Sequence, residues 1–271
     1  MPNAKDAETP THRRFLVAGE NGAGKSALIW SLPGKKFAYL FDPNSLATLH
    51  GLDMDYERFV PDMDEAEFGL PGFNQGSKKD KIGKPTPPRA YNDWAEHYNK
   101  HGEALFTTGK YDWLIIDSLT FLVQGALKRQ MYLNNRQGEL EDRGDYRTVG
   151  NTLSTVFQGI ANLPINIFMT AHLQTYQDEK TSRIDTLLRA PGSSRDILPL
   201  MFTEILLAEA QISKDGKAQY TVRTVPDPRG FKKIRTSLRG LEPIEDVTIP
   251  HFDASAAKYG IGKLLKKGGV E

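Results

Sequence analysis

The stretch GENGAGKS, residues 19–26, lies between the apolar run FLVAG (15–19), which ends in glycine, and a segment of helix formers carrying Leu28, Ile29 and Leu32. Gly19, Glu20, Asn21, Gly22, Ala23, Gly24, Lys25 and Ser26 fill the pattern G-x-x-x-x-G-K-[ST] completely, and the order strand, loop, helix is the context that gives the pattern its meaning. Glycines let backbone N–H groups turn inward around phosphate oxygens, and the start of a helix adds partial positive charge. Lys25 is placed to reach the β and γ phosphates, and Ser26 to offer a hydroxyl to Mg²⁺, with Ala27 closing the loop. The bland alternative is a glycine-rich turn that matches by chance.

A bound magnesium triphosphate needs a second acidic group at the end of a neighbouring strand. WLIID, residues 113–117, supplies one in Asp117 after four apolar residues, although an aspartate there could also simply cap the following helix. Further strands are expected at KFAYLFD (36–42) and INIFMTAH (165–172), and helices over 91–106, 119–133 and a segment through Val149, Leu153, Phe157 and Ile160. Strands alternating with helices predict a mainly parallel sheet covered on both faces. Late in the chain, Asp215-Gly216 between two strand-like runs predicts an antiparallel hairpin. The expected fold class is therefore α/β. Its expected organisation is an N-terminal arm over 1–12, one main domain over 13–250 with a Gly-, Pro- and Lys-rich loop or insertion at 69–90, and a basic C-terminal tail over 251–271.

Composition narrows the chemistry. The 271 residues contain no cysteine, which excludes disulfides, thiol catalysis and cysteine-ligated zinc. A formal charge of +1 provides no whole-molecule attraction for polyanions, so contact with nucleic acid must come from local patches or from assembly. The polar start MPNAKDAETPTHRR and the lack of a long apolar run predict a cytoplasmic protein that does not enter a membrane.

Beyond the first motif, FDPNS, IIDSLT, TAH and KKIR follow one another in an order that resembles phage-encoded nucleotide-binding proteins with a RecA-like core, related to single-strand annealing proteins. The resemblance spans residues 13–250, and only the first motif is highly specific. It implies a RecA-like P-loop ATPase that uses ATP and Mg²⁺ and acts on single-stranded DNA during phage recombination or annealing. It also implies a homo-oligomer, ring or filament, that works alone or with a single-strand binding protein in the host cytoplasm.

Carried over by position, His172 takes the place of a γ-phosphate sensor, although a histidine satisfied by backbone is the alternative. Lys233 and Arg235 resemble a K-x-R finger offered to the adjacent subunit, or else a solvated basic strand end. Where RecA has a catalytic glutamate two residues past an aspartate, this chain has Asn44, which cannot accept a proton, so either Asp42 or Glu20 takes over water activation or turnover is slow. The loops matching the DNA-binding loops of RecA-like proteins, 134–148 and 173–196, carry Arg136, Arg143 and Arg147, then Tyr176, Arg183 and Arg195. Arginine for phosphate and tyrosine for stacking suit a sequence-tolerant single-strand binder, and a solvated polar loop is the alternative. Two rival functions share the phosphate socket: a small-molecule kinase, and a nucleotide-holding assembly module with little turnover.

Overall fold

The computed structural model describes residues 12–60, 87–137, 139–177, 184–190, 194–213, 215–227 and 230–270. Nine strands form its framework: β1 (Arg14–Gly19), β2 (Lys36–Leu40), β3 (Asp55–Arg58), β4 (Trp113–Asp117), β5 (Asn166–Gln177), β6 (Ile184–Leu188), β7 (Glu204–Ile212), β8 (Ala218–Arg223) and β9 (Ile244–Asp246). They lie in the order β3-β2-β4-β5-β1-β7-β8-β9, with β6 paired to β5 off this path. The pairs from β3 through to β7 are parallel, and β7–β8, β8–β9 and β5–β6 are antiparallel. This is the expected α/β class, a mainly parallel sheet extended by an antiparallel C-terminal hairpin.

The central strands read as continuous apolar runs because both of their faces are covered. In β1, Leu16 and Ala18 join the core beneath α2 (Ala90–Phe106), α3 (Leu119–Leu133) and α4 (Arg143–Ala161), alongside Trp94, Leu122 and Phe157. Phe15 and Val17 face the other way and meet the 3-10 helix Ser26–Ser31, α1 (Ser45–Leu49) and α6 (Gly260–Lys267) through Ile29, Leu49 and Leu264. A four-residue α5 (Ser194–Ile197) leads into β7 through a second 3-10 turn.

Three segments depart from the sequence reading. The helix after Ser26 is a six-residue 3-10 segment, stopped at Leu32 before Pro33-Gly34, so it contributes little macrodipole. The first of the two expected loops is shorter than supposed, because α4 starts at Arg143. Asp142 caps it reciprocally with Asp145, a capping box in which aspartate replaces the usual glutamate. In the described part of the second, β5 continues to Gln177 and pairs with β6 from Leu173↔Leu188 to Gln177↔Ile184.

The basic C-terminal segment packs onto the domain. Ile261 and Leu264 are fully buried, the Ile261 N–H donates to Ser31 Oγ at 2.8 Å, and Lys267 pairs with Glu245 at 2.5 Å. Within the expected insertion, 69–86 lies outside the described residues, and Ala90 already begins α2. Residues 1–11 of the expected arm lie outside them as well. No described helix is long and apolar enough to cross a membrane.

Candidate active site at the carboxyl edge of the sheet

Parallel registry brings the ends of β1, β2 and β4 to one edge beside the middle of β5. Gly19 at the end of β1 lies opposite His172 of β5, and Leu40 of β2 lies opposite Asp117 of β4. A crevice at the carboxyl ends of parallel strands is where such sheets hold ligands. Here it forms a cavity of about 460 Å³ lined by Lys25, Ser26, Asp42, Asp117, Thr170 and His172, among others.

The loop has the shape that its glycines predict. Gly22 and Gly24 have φ of +78° and +79°, where an L side chain is strained. Gly19 is required for a different reason: a Cβ there would stand 2.5 Å from the Ala208 carbonyl oxygen of β7. Lys25 is 6% exposed, and its ammonium donates to the carbonyls of Gly19 at 3.1 Å and Glu20 at 2.8 Å. Burial lowers its pKa, while Asp117, Glu20 and Asp42 pull it back up.

Asp117 is the hub of the cavity. It is 1% exposed and accepts hydrogen bonds from Ser26 Oγ at 3.1 Å, Ser45 Oγ at 2.6 Å and the Thr170 hydroxyl. Burial pushes its carboxyl pKa up, and the three hydroxyls oppose that shift. A carboxylate kept away from water yet ringed with oxygen donors is a hard-ligand environment, suited to a cation that keeps most of its shell from water and phosphate. Among the described residues no group of three or more His, Cys, Asp or Glu could cage a metal by itself. A cation at Asp117 and Ser26 would therefore depend on oxygens that a ligand brings.

The sequence from residue 11 to residue 236 matches the AAA domain family. The chain belongs to that family. No curated protein matches the sequence. Among solved structures, the flagellar accessory protein FlaH from Methanocaldococcus jannaschii is similar at 11% identity, covering 88% of this chain and 85% of that one with a TM-score of 0.38.

His172 forms part of the wall of the cavity at the P-loop. The His172 N–H donates to Thr120 Oγ1 at 3.0 Å, and its carbonyl accepts from the Arg189 N–H at 2.9 Å. Its Nδ1 is buried without a protein partner. An unmatched buried nitrogen costs about 1–3 kcal/mol, so a hydrogen-bonding ligand beside it is favoured. Burial first, and then the nearby Lys25 charge, lower its pKa from 6.5 to about 4. The unfolded chain therefore takes up this proton before the folded one does. The stabilisation from neutral His172 is complete above pH 6.5 and is lost progressively as pH falls towards about 4. Denaturant melts across that range should show the wild type losing about 1 kcal/mol more than His172→Gln, allowing for partial exposure of the ring. Parallel stability curves for the two proteins would refute this assignment.

Of the two carboxylates considered for water activation, Asp42 lines the cavity and accepts from the Asn44 N–H at 2.8 Å. Glu20 instead borders a separate cavity of about 360 Å³ with Ala208 and Glu209. Asp42 also lies two residues beyond the end of β2, not at its last position.

Four of the six DNA-facing candidates converge. Arg143, Arg147, Tyr176 and Arg195 line a second cavity of about 770 Å³, which Tyr146 and Arg189 also line. Arg143 and Arg147 reach it from one face of α4, four residues apart, and not from a loop. Arg195 lies over the Tyr176 ring at 5.3 Å. Arg136 does not join them: it is held by Glu139 at 2.8 Å, Asp142 at 2.6 Å, Asp145 at 2.7 Å and the Leu140 carbonyl. Arg183 lies outside the described residues.

Lys233 and Arg235 do not share a strand. Lys233 pairs with Asp196, and the Arg235 guanidinium donates to the carbonyls of Pro199 and Phe202, with only an isolated bridge joining Arg235 to Ile205. A role across a subunit boundary would require those bonds to be exchanged.

Sequence reasoning missed Ser45, Thr170 and Tyr220. Thr170 was legible as a polar residue two before His172 in an otherwise apolar run, and so on the same strand face. Ser45 and Tyr220 arrive from elements whose proximity only the fold reveals.

Proposed function

We propose that this AAA domain binds ATP with Mg²⁺ at the Lys25–Asp117 cavity, hydrolyses it, and couples turnover to single-stranded DNA held in the second cavity. The observation that carries this reading is the shared wall. Thr120, whose hydroxyl accepts from the His172 N–H, lines the second cavity, while His172 lines the first.

At the first cavity, backbone N–H groups of the loop and the Lys25 ammonium would take the phosphates, and Ser26 and Asp117 would hold the cation. When bound, Mg²⁺ supplies neutralisation of phosphate charge. In this reading Asp42, which lines the cavity, would orient water, and His172, which also lines it, would register the terminal phosphate. At the second cavity, four arginines with two tyrosines offer charge for the backbone and π-faces for unstacked bases, a combination that favours single strands over duplex. Strand annealing or recombination in a phage, within a homo-oligomer and alongside a single-strand binding protein, is the setting that the sequence resemblance implies.

Phosphate release measured with and without oligo-dT tests the reading. DNA-stimulated turnover is the expected result. Transfer of phosphate to a small acceptor, or tight ATP binding with no turnover under either condition, would replace it with a kinase or a nucleotide-holding module respectively.

A further inference from the structure

The AAA family match ends at residue 236, yet the nucleotide cavity does not. Beyond the phosphate loop its wall continues through Tyr220 of β8 and then Val247, Ile249 and Phe252. We infer that this C-terminal wall is the nucleoside subsite, in which an aromatic base lies against Tyr220 and Phe252 while its phosphates reach Lys25. The inference rests on the nucleotide reading of the same cavity and adds the residues that hold the other end of the ligand.

The chemistry of the lining divides in the way a nucleotide does. Lys25, Ser26 and Asp117 gather the charged and oxygen groups, whereas Leu28, Tyr220, Val247, Ile249 and Phe252 present apolar and aromatic surface. The two regions are in register because Tyr220 stands directly beside the loop: a Cβ added at Gly24 would lie 2.8 Å from its Cδ1. Backbone bonds fix the rest of the wall to that ring. The Val247 N–H donates to the Tyr220 carbonyl at 2.9 Å, and the Tyr220 N–H donates to Thr248 Oγ1 at 3.0 Å.

Phe252 is the residue that otherwise lacks a reason. It is 54% exposed, and its ring meets Trp30 edge-on at 5.6 Å. Trp30 is in turn fixed by its indole N–H to the Thr48 carbonyl at 3.0 Å. A large apolar ring held in place but left half uncovered at a cavity wall is the kind of surface a flat ligand covers. The whole segment is anchored just past the phosphate loop, where the Ile261 N–H meets Ser31 Oγ at 2.8 Å. Stacking a base on an aromatic side chain typically changes affinity by roughly five- to a hundredfold.

Calorimetric titration of the full chain with Mg–ATP and with magnesium tripolyphosphate separates the two ends of the cavity. The wild type should prefer ATP over tripolyphosphate. Phe252→Ala and Tyr220→Ala should each weaken ATP by roughly tenfold while moving tripolyphosphate by less than about twofold, and Phe252→Trp should restore ATP affinity. Because Phe252 is half exposed, its alanine variant tests the inference even if Tyr220→Ala fails to fold. ATP affinity unchanged in Phe252→Ala, or a wild type that binds tripolyphosphate as tightly as ATP, overturns the nucleoside subsite alone. A wild type that binds neither overturns the nucleotide reading and this inference together.

Discussion

Replacing Asp117 with asparagine should reduce ATP hydrolysis by about a hundredfold or more while leaving the folded domain at least as stable as the wild type. The two effects have opposite signs for one reason. Asp117 is buried, and burial pushes its carboxyl towards the neutral form, so an ionised side chain is a liability to the fold. The amide keeps the shape: its oxygen can still accept from Ser26 and Thr170, while its NH2 donates to Ser45 Oγ, whose hydroxyl rotates away to accept. It cannot supply the negative charge that a cation requires. Thermal melts paired with phosphate release at saturating Mg–ATP measure both quantities. Turnover within about fivefold of wild type would remove Asp117 from the metal role, because losing one such charge normally costs far more.

The second large effect concerns the arginine-lined cavity. The double variant Arg143→Ala, Arg147→Ala should weaken single-stranded DNA binding by roughly ten- to a hundredfold, uniformly across sequences. The slope of log affinity against log salt should flatten by about 1.4, since each lost phosphate contact on a single strand contributes about 0.7. ATP affinity without DNA should be unchanged. Arg136→Ala is the informative contrast, because Arg136 is already bound to Glu139, Asp142 and Asp145. That substitution should lower stability and leave the salt slope alone. Fluorescence anisotropy with labelled oligo-dT at several salt concentrations gives both readouts, and an unchanged slope in the double variant would show that these arginines do not meet phosphate.

Much of the fold was legible because its signals are local. The run FLVAG before the loop, WLIID ending in its aspartate, and the 119–133 helix each declare their type through apolar continuity or periodicity. The start of α4 was hidden by its own chemistry: the capping residues Asp142 and Asp145 sit among Arg136, Glu139 and Arg143, so a helix start looked like a charged loop. The second half of β5 was hidden because LQTYQ is mostly polar and exposed, and only pairing with β6 makes it a strand. At the site, Lys25, Ser26 and Asp117 followed from motif spacing, whereas Ser45 and Tyr220 are brought in by α1 and β8, and no spacing rule reports that approach. The basic tail was misleading for a similar reason. Its lysines dominate the composition, while Ile261, Leu264 and Leu265 determine where it packs.

Strand β5 is twelve residues long, and its two halves are held differently. Up to His172 it is clamped by parallel neighbours, and from Leu173 its partner is β6. Tyr176 stands four residues past His172, about 13 Å along the same extended backbone. An influence exerted at one of these positions can reach the other along a stiff beam, without any loop having to refold. Under the proposed function, thermodynamics would impose a symmetry: whatever factor a bound triphosphate applied to the hold on a DNA strand, the strand would have to apply to the hold on the triphosphate.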